Sequence, residues 1–386
     1  MKILVIGNGF DLAHQLPTTY ADFLEFIRVV NSLLNGETLE SVDWGYLNKI
    51  IKRIITDDVF LNDNGIHNNK AMWQKLIGYN FWVEYFWANQ SYINENWIDF
   101  ESEIGTVIKS LENDIKGSIK DEIIVNGTIQ ISNKYLSDFY CRNNCSNALK
   151  YNEDREAFIS FEGVRNRLLG DLNNLIRAFE LYLTLFVDKI EIEKKSMDIE
   201  GIKPDSILSF NYTDTYKKVY NFDKEIEYDY IHGKAISSRA VEDNNMVLGI
   251  DEYLHKDKRD SEVSFIGFKK YYQRIFKGTG CKYKDWLVIL QHQVQEKEPV
   301  YGEMIDKGAH ELYIFGHSCD ITDKDILSDL ILNKWVQTTI FYYDKDDLGR
   351  KITNLVKVIG QNELIQRTGG PTKTITFKLQ SPMKLI

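Results

Sequence analysis

Gly7-Asn8-Gly9-Phe10-Asp11, Asn211-Tyr212-Thr213-Asp214, His232-Gly233, Gly249-Ile250-Asp251 and Gly316-His317-Ser318-Cys319-Asp320 each follow a short apolar run. Their residue types are those of a ligand site. Gly7 and Gly9 carry no Cβ, so the chain can turn tightly there and expose backbone N–H groups to a phosphate, reinforced by a helix N-terminus behind them. Asn211 offers a donor and an acceptor without charge, which suits it to hold a water or a hydroxyl. His232 titrates near neutrality and can accept a proton. Asp11 either binds hydroxyls and stabilises positive charge or caps the short helix behind the turn. Taken singly, these residues also have plain structural uses: Asn211 in a turn, His232 packed beside a glycine, His317-Ser318 at a helix start. Their recurrence at successive run ends points to a pocket for a nucleotide-like ligand.

The runs that must position these residues have strand character. Ile3 to Ile6 is apolar and rich in β-branched residues, as expected of a strand buried on both faces of a parallel sheet. Similar runs occupy Ser206 to Phe210, Glu227 to Ile231, Met246 to Gly249, Glu311 to Phe315 and Thr338 to Tyr343, with an edge strand over Lys373 to Lys378. Helical segments over Asp325 to Trp335 and Leu348 to Ile359 separate some of them, which predicts an α/β fold with a mostly parallel sheet. Ligands bind such sheets beyond the carboxyl ends of the strands. The glycine turn departs from G-x-G-x-x-G: its third position is Leu12, and Pro17 ends the helix early.

Thr19 and Asp22 have the spacing of a capping box before Phe23, Leu24, Ile27, Val30 and Leu34, which recur at helical intervals. From about Asn31 to Asp198 the texture is helical and rich in tryptophan. Leu168, Leu172, Leu175, Phe179, Tyr182 and Phe186 mark one apolar helix face there. The expected organisation is a sheet domain over 1–30 and 201–386, with a large α-helical insertion over 31–200, after the first strand and helix, packed on it.

The chain has 386 residues, 43% of them hydrophobic, with 5 prolines, the composition of a packed globular protein. A net charge of −10 disfavours a broad phosphate-backbone surface, so nucleic acid is not the expected partner. No leader pattern and no apolar stretch of about eighteen residues occurs, which predicts a cytoplasmic protein without a membrane span. Cys141, Cys145, Cys281 and Cys319 are too few and scattered for a disulfide framework, and the Cys141/Cys145 pair lacks further ligands, so no metal is expected. Asp323 and Asp325 read as helix-start residues that complement the dipole. His14 is placed to face the pocket, whereas His67, His255, His292 and His310 read as solvated.

The opening G-N-G-F-D-L-A-H-x-L-P-T-x-Y (Gly7 to Tyr20), S-F-N-Y-T-D-T (Ser209 to Thr215), I-H-G (Ile231 to Gly233), L-G-I-D (Leu248 to Asp251) and F-G-H-S-x-x-x-x-D-K-D-I-L (Phe315 to Leu327) resemble the bacteriophage abortive-infection AbiH family. The stretch Trp97 to Glu101 is similar to a W-x-D-x-E segment of that family. The resemblance implies a role in defence against phage, with a phage-derived trigger as a partner. A more distant likeness is to sirtuin-like domains, which carry a glycine turn, a T-x-N-x-D block, an H-G and a late G-x-S at strand ends of a Rossmann-like sheet. Those map onto Gly7 to Asp11, Ser209 to Thr213, His232-Gly233 and Gly316 to Ser318. The sirtuin aspartate position falls on Thr213, and the zinc-binding cysteines of the deacetylases are missing.

This second likeness implies NAD as ligand or substrate. Cleaving the nicotinamide–ribose bond would use Asn211 on the ribose or water, His232 as base and Asp11 against the developing cation. Gly7, Asn8, Gly9 and Phe10 would line the pyrophosphate, Gly316, His317 and Ser318 would close the far side, and Asp99 and Glu101 would reach in from the helical block. Two other readings stay open at this point: a module that senses NAD or an ADP-ribose-like signal without chemistry, and a metal-dependent nuclease. The aromatic residues of the helical block fit either an internal core or a surface for a homo-oligomer.

Overall fold

Ile3, Leu4, Val5 and Ile6 are all buried because their strand, β1 (Lys2–Ile6), lies in the middle of a six-stranded sheet. The computed structural model describes residues 1–57, 70–89, 100–120, 128–129, 132–142, 149–151, 157–220, 225–250, 263–295, 310–371 and 373–386. The other strands are β2 (Ser206–Ser209), β3 (Glu227–Tyr230), β4 (His310–Phe315), β5 (Val336–Tyr342) and β6 (Ile375–Leu379). Their order is β3-β2-β1-β4-β5-β6, and every neighbouring pair is parallel. Ile3 is in register with Ser206 on one side and Leu312 on the other. The chain builds outward from β1 to β3, returns, and builds outward again from β4 to β6. The connections therefore reverse between β1 and β4, the place where open parallel sheets form a crevice at their carboxyl ends.

Alternation along β1 divides the core between the two faces of the sheet. Ile3 and Val5 pack with Leu208, Leu312 and Ile314 against Trp286, Leu330 and Leu355, which come from helices Tyr283–Gln295, Lys324–Ile331 and Lys345–Ile359. Leu4 and Ile6 pack with Ile207 and Phe315 against Phe10, Tyr216 and Tyr220. These last three come from the short helices α1 (Asn8–Ala13) and α2 (Thr215–Tyr220). The expected edge strand near the C-terminus is β6, and the expected helices after β4 and β5 are present.

The chain divides into two compact units: Met1–Thr18, Ile190–Ala235 and Lys277–Ile386 in one, Thr19–Lys189 and Ile236–Phe276 in the other. The first contains the six-stranded sheet. The division thus falls after residue 18 where the sequence reading placed it after 30, and residues 236–276 group with the helices. In the second unit Thr19 and Asp22 form the capping box of helix Tyr20–Leu34, each side chain bonded to the other's backbone N–H. The face Leu168, Leu172, Leu175, Phe179, Tyr182 and Phe186 is buried, and Phe179 and Tyr182 pack against Phe23 at ring separations of 4.8 and 5.6 Å.

Two sequence expectations are corrected here. Met246 to Gly249 is not a strand of the sheet; it belongs to the helical unit. The Gln273 side chain takes the place of a strand neighbour by accepting from the Leu248 N–H (3.1 Å) and donating to the Leu248 carbonyl (3.0 Å). The run therefore finds its backbone partners without joining a ladder. His310, read as solvated, is buried, with Nε2 3.2 Å from the Leu290 carbonyl oxygen. Trp97, Asp99, Asp251, His67, His255 and Cys145 lie outside the described residues.

Candidate functional site

β1 and β4 end side by side, and their two loops meet backbone to backbone. The Gly7 N–H donates to the Phe315 carbonyl (3.3 Å), the Gly9 N–H to the Gly316 carbonyl (2.8 Å), and the Phe10 N–H to the Gly7 carbonyl (2.8 Å). A Cβ on Gly9 would lie 2.8 Å from the Gly316 oxygen. On Gly316, whose φ is +69°, it would lie 2.1 Å from the Phe10 nitrogen. The glycines are thus required by the approach of one loop to the other, and the amides expected to face a pyrophosphate are engaged within the protein. Phe10 is also corrected: its ring is fully buried among His14, Tyr216, Tyr220 and Phe315. Gly316→Ala is expected to destabilise the fold by about 2–4 kcal/mol, from a left-handed φ plus a backbone clash. Urea denaturation measures this, and a loss under about 0.5 kcal/mol would mean that the loops are not locked together.

Asn8 is exposed, and its Oδ1 accepts a bond from the Thr18 hydroxyl at 2.7 Å. His14, expected to face the pocket, is buried with both ring nitrogens engaged inside the protein. Its Nδ1 lies 2.7 Å from the Phe10 carbonyl and its Nε2 2.8 Å from the Tyr220 hydroxyl, and burial lowers its pKa.

Asp11, one turn along α1, is 1% exposed. Of its two open readings, the cap is not used. Oδ2 accepts from the Thr213 hydroxyl at 2.6 Å, while the buried Oδ1 has no hydrogen-bond partner. Burial pushes its pKa up to about 6, opposed by the Thr213 and Thr215 hydroxyls, the nearby Asn211 amide and the Lys218 charge.

Asn211 follows β2 directly. The Phe210 N–H donates to the Ile6 carbonyl (2.9 Å), which extends the pairing of β2 with β1. The Ser209 hydroxyl then brackets the Asn211 backbone, accepting from its N–H at 3.2 Å and donating to its carbonyl at 3.1 Å. The backbone is held, yet neither side-chain amide atom of Asn211 has a hydrogen-bond partner, although both are buried. It lies near enough to Asp11 to favour the charged carboxylate without meeting hydrogen-bond geometry.

His232 follows β3, whose pairing is prolonged by an Ile231 N–H to Ser209 carbonyl bond of 2.8 Å. Its Nε2 lies 3.5 Å from Asp323 Oδ1, and His317 Nε2 lies 3.4 Å from Asp323 Oδ2. One carboxylate therefore stands between two imidazoles. The Phe210 ring packs edge-on against both, at centroid separations of 5.5 Å from His232 and 4.3 Å from His317. His317 Nδ1 accepts from the Cys319 N–H at 2.9 Å, so the ring proton sits on Nε2, toward Asp323. The loop is latched by the buried Lys351, which donates to the His317 carbonyl at 2.7 Å, and by Asn354, which donates to the Ser318 carbonyl at 3.1 Å. Ser318 itself is exposed. Cys319 is a buried thiol whose pKa burial pushes up to about 12, so it is not a nucleophile near neutrality.

Asp323, expected from the sequence only as a helix-start residue, stands instead against the two histidines. It occupies the N-cap position of helix Lys324–Ile331, as its neighbourhood in the sequence suggests, but makes no side-chain cap bond. Asp320 caps the preceding turn instead, accepting from the Thr322 N–H at 3.2 Å. Asp214, in the same strand-end segment as Asn211, accepts from the Tyr230 hydroxyl and pairs with Lys234. Among the described residues no group of three or more His, Cys, Asp or Glu is arranged to hold a metal ion.

The sheet and its rim define an α/β protein with an all-parallel central sheet, whose carboxyl-end segments place Asp11 near Asn211, and His232 and His317 about Asp323. The model of the bacteriophage abortive infection AbiH family matches residues 3–344. The chain belongs to that family, and is a phage abortive-infection defence protein. The match begins in β1 and ends just beyond β5. Comparisons with curated proteins and with solved structures found no match. Among the described residues no helix is long and apolar enough to cross a membrane.

Proposed function

We propose that the sheet unit binds NAD beyond the carboxyl ends of β1, β2 and β3 and hydrolyses the bond between nicotinamide and ribose. The observation that carries this reading is the buried and unpartnered polar set, Asn211 Oδ1 and Nδ2 with Asp11 Oδ1, beside His232. Buried polar groups without partners are costly, and at a strand-end rim they favour a ligand that supplies the partners. Strand order supports the same reading, because β3-β2-β1-β4-β5-β6 is the order of Rossmann-type dinucleotide-binding sheets. The residue likeness to sirtuin-like domains falls on these same strand ends.

In the reaction the C1′–N bond breaks and its electron pair leaves with nicotinamide. Water adds to C1′ and gives up a proton, which His232 accepts. Asn211 holds the water or a ribose hydroxyl, and Asp11, largely ionised at neutral pH, faces the oxocarbenium-like charge. Gly7, Gly9 and Phe10 contribute no free amide to the pyrophosphate, so Asn8 and Ser318 at the exposed edge of the loops are the residues left to meet it.

The test is incubation of the purified protein with NAD, alone and with lysate of phage-infected cells, followed by chromatography for nicotinamide and ADP-ribose. Both products are expected in at least one condition. Nucleotide binding without nicotinamide in any condition would replace hydrolysis by sensing.

A further inference from the structure

We infer that Asp323 is the positioning residue of His232, held in place from its other side by His317; as a role in catalysis, this rests on the NAD-cleaving reading of the same site. The geometry is specific. The two carboxylate oxygens are divided between the two rings, Oδ1 at 3.5 Å from His232 Nε2 and Oδ2 at 3.4 Å from His317 Nε2. Both rings and the carboxylate are buried. A carboxylate in that position draws the imidazole proton to Nε2 and leaves Nδ1 of His232 as the basic nitrogen, in the way that an acidic partner sets the tautomer of a general base. Separations of this length tighten when the reacting complex forms.

The surroundings explain why Asp323 is available for this role. A residue that starts a helix ordinarily bonds its own N-terminal amides, and Asp323 makes no such bond. Asp320 takes over the capping of the turn before it. His317 is restrained on three sides, by the Cys319 N–H at Nδ1, by Lys351 at its carbonyl and by the Phe210 ring on its face. Lys351 is itself paired with Asp347 at 3.3 Å. His317 can then act only as a fixed N–H donor to Asp323, so the pair forms a rigid support for one mobile proton on His232. Phe210, which touches both rings, keeps their spacing.

The deciding measurement is ¹⁵N–¹H correlation NMR of the full chain with ¹⁵N-labelled histidine, which reads the tautomer of His232 without any turnover. The wild-type protein is expected to show His232 as the single Nε2–H tautomer, with assignment by a His232→Gln spectrum. Asp323→Asn removes the carboxylate at constant shape, and both tautomers should then appear. In His317→Phe, which keeps Asp323 but removes the imidazole at its second oxygen, the same mixing is expected, so the inference is tested even if one variant fails to fold. In the NAD assay Asp323→Asn should lower kcat about 10- to 100-fold with KM changed less than about twofold, the pattern of a lost orienting partner. An Nδ1–H tautomer in the wild type, or a single Nε2–H tautomer that persists in the variants, overturns the inference. Absence of NAD cleavage in the wild type would overturn the proposed reaction and leave the tautomer result standing by itself.

Discussion

Asn211→Ala is expected to lower NAD turnover by about 100-fold or more while leaving the protein at least as stable as the wild type. In the proposed reaction the substitution removes a neutral group on the ribose or water, an effect of about 10²–10³ for one preorganised polar partner. The stability estimate follows from burial without partners. Both amide atoms of Asn211 lie inside the protein unbonded, while its backbone is held independently by the Ser209 hydroxyl. Alanine removes two desolvated groups, worth about 1–3 kcal/mol each when left unpaired, and loses some packing in exchange. A net gain of about 1 kcal/mol is expected by urea denaturation. A turn residue with no ligand role would behave in the opposite manner, with stability lost and turnover unchanged.

Asp11→Asn should reveal the same opposition between stability and function, with a pH dependence that identifies its cause. Burial raises the Asp11 pKa from 3.8 to about 6, so the folded protein holds this proton more tightly than the unfolded chain does. The sign follows from linkage: stability from the protonated carboxyl is fully present below about pH 4 and is lost as pH rises through about 6. At pH 7 the wild type carries an ionised buried carboxylate disfavoured by up to about 3 kcal/mol, which asparagine avoids while still accepting from Thr213. The variant should therefore be more stable at pH 7, with the difference vanishing toward pH 4. Turnover by Asp11→Asn should fall about 100-fold, and wild-type kcat/KM should decline as pH drops below about 6. Denaturation at pH 7 and 5 with a pH–rate profile checks both. A variant that is less stable at pH 7 would show that the charged carboxylate is compensated by the fold.

The short dinucleotide-like turn illustrates how a motif can be real and its physical reason different from the expected one. Glycine is obligatory at Gly9 and Gly316, as the residue types suggested. What requires it is the contact of two loops at the reversal point of the sheet, where a Cβ on Gly316 would be 2.1 Å from the Phe10 nitrogen. The bonds that lock the loops use the amides that a phosphate would need. Asp11, on the short helix α1, meets the Thr213 hydroxyl from the loop after β2.

Taken alone, the order of residues already determined the α/β class, the parallel strands and the rim on which Asp11, Asn211, His232 and His317 stand. These follow from local information: β-branched runs, helical periodicity and a polar residue at each run's end. The same local signals made Met246 to Gly249 look like a strand, because a short apolar run does not state whether a ladder or a side chain such as Gln273 will satisfy its backbone. Only tertiary structure decided that Asp323 turns away from its helix to stand between two histidines, and that Phe10 belongs to the core. It also decided that Asp11 and Asn211, 200 residues apart, are buried together with atoms left unpaired. Side-chain direction, burial and partnership depend on which segments the fold brings side by side, and residue spacing carries no information about neighbours that distant in the chain.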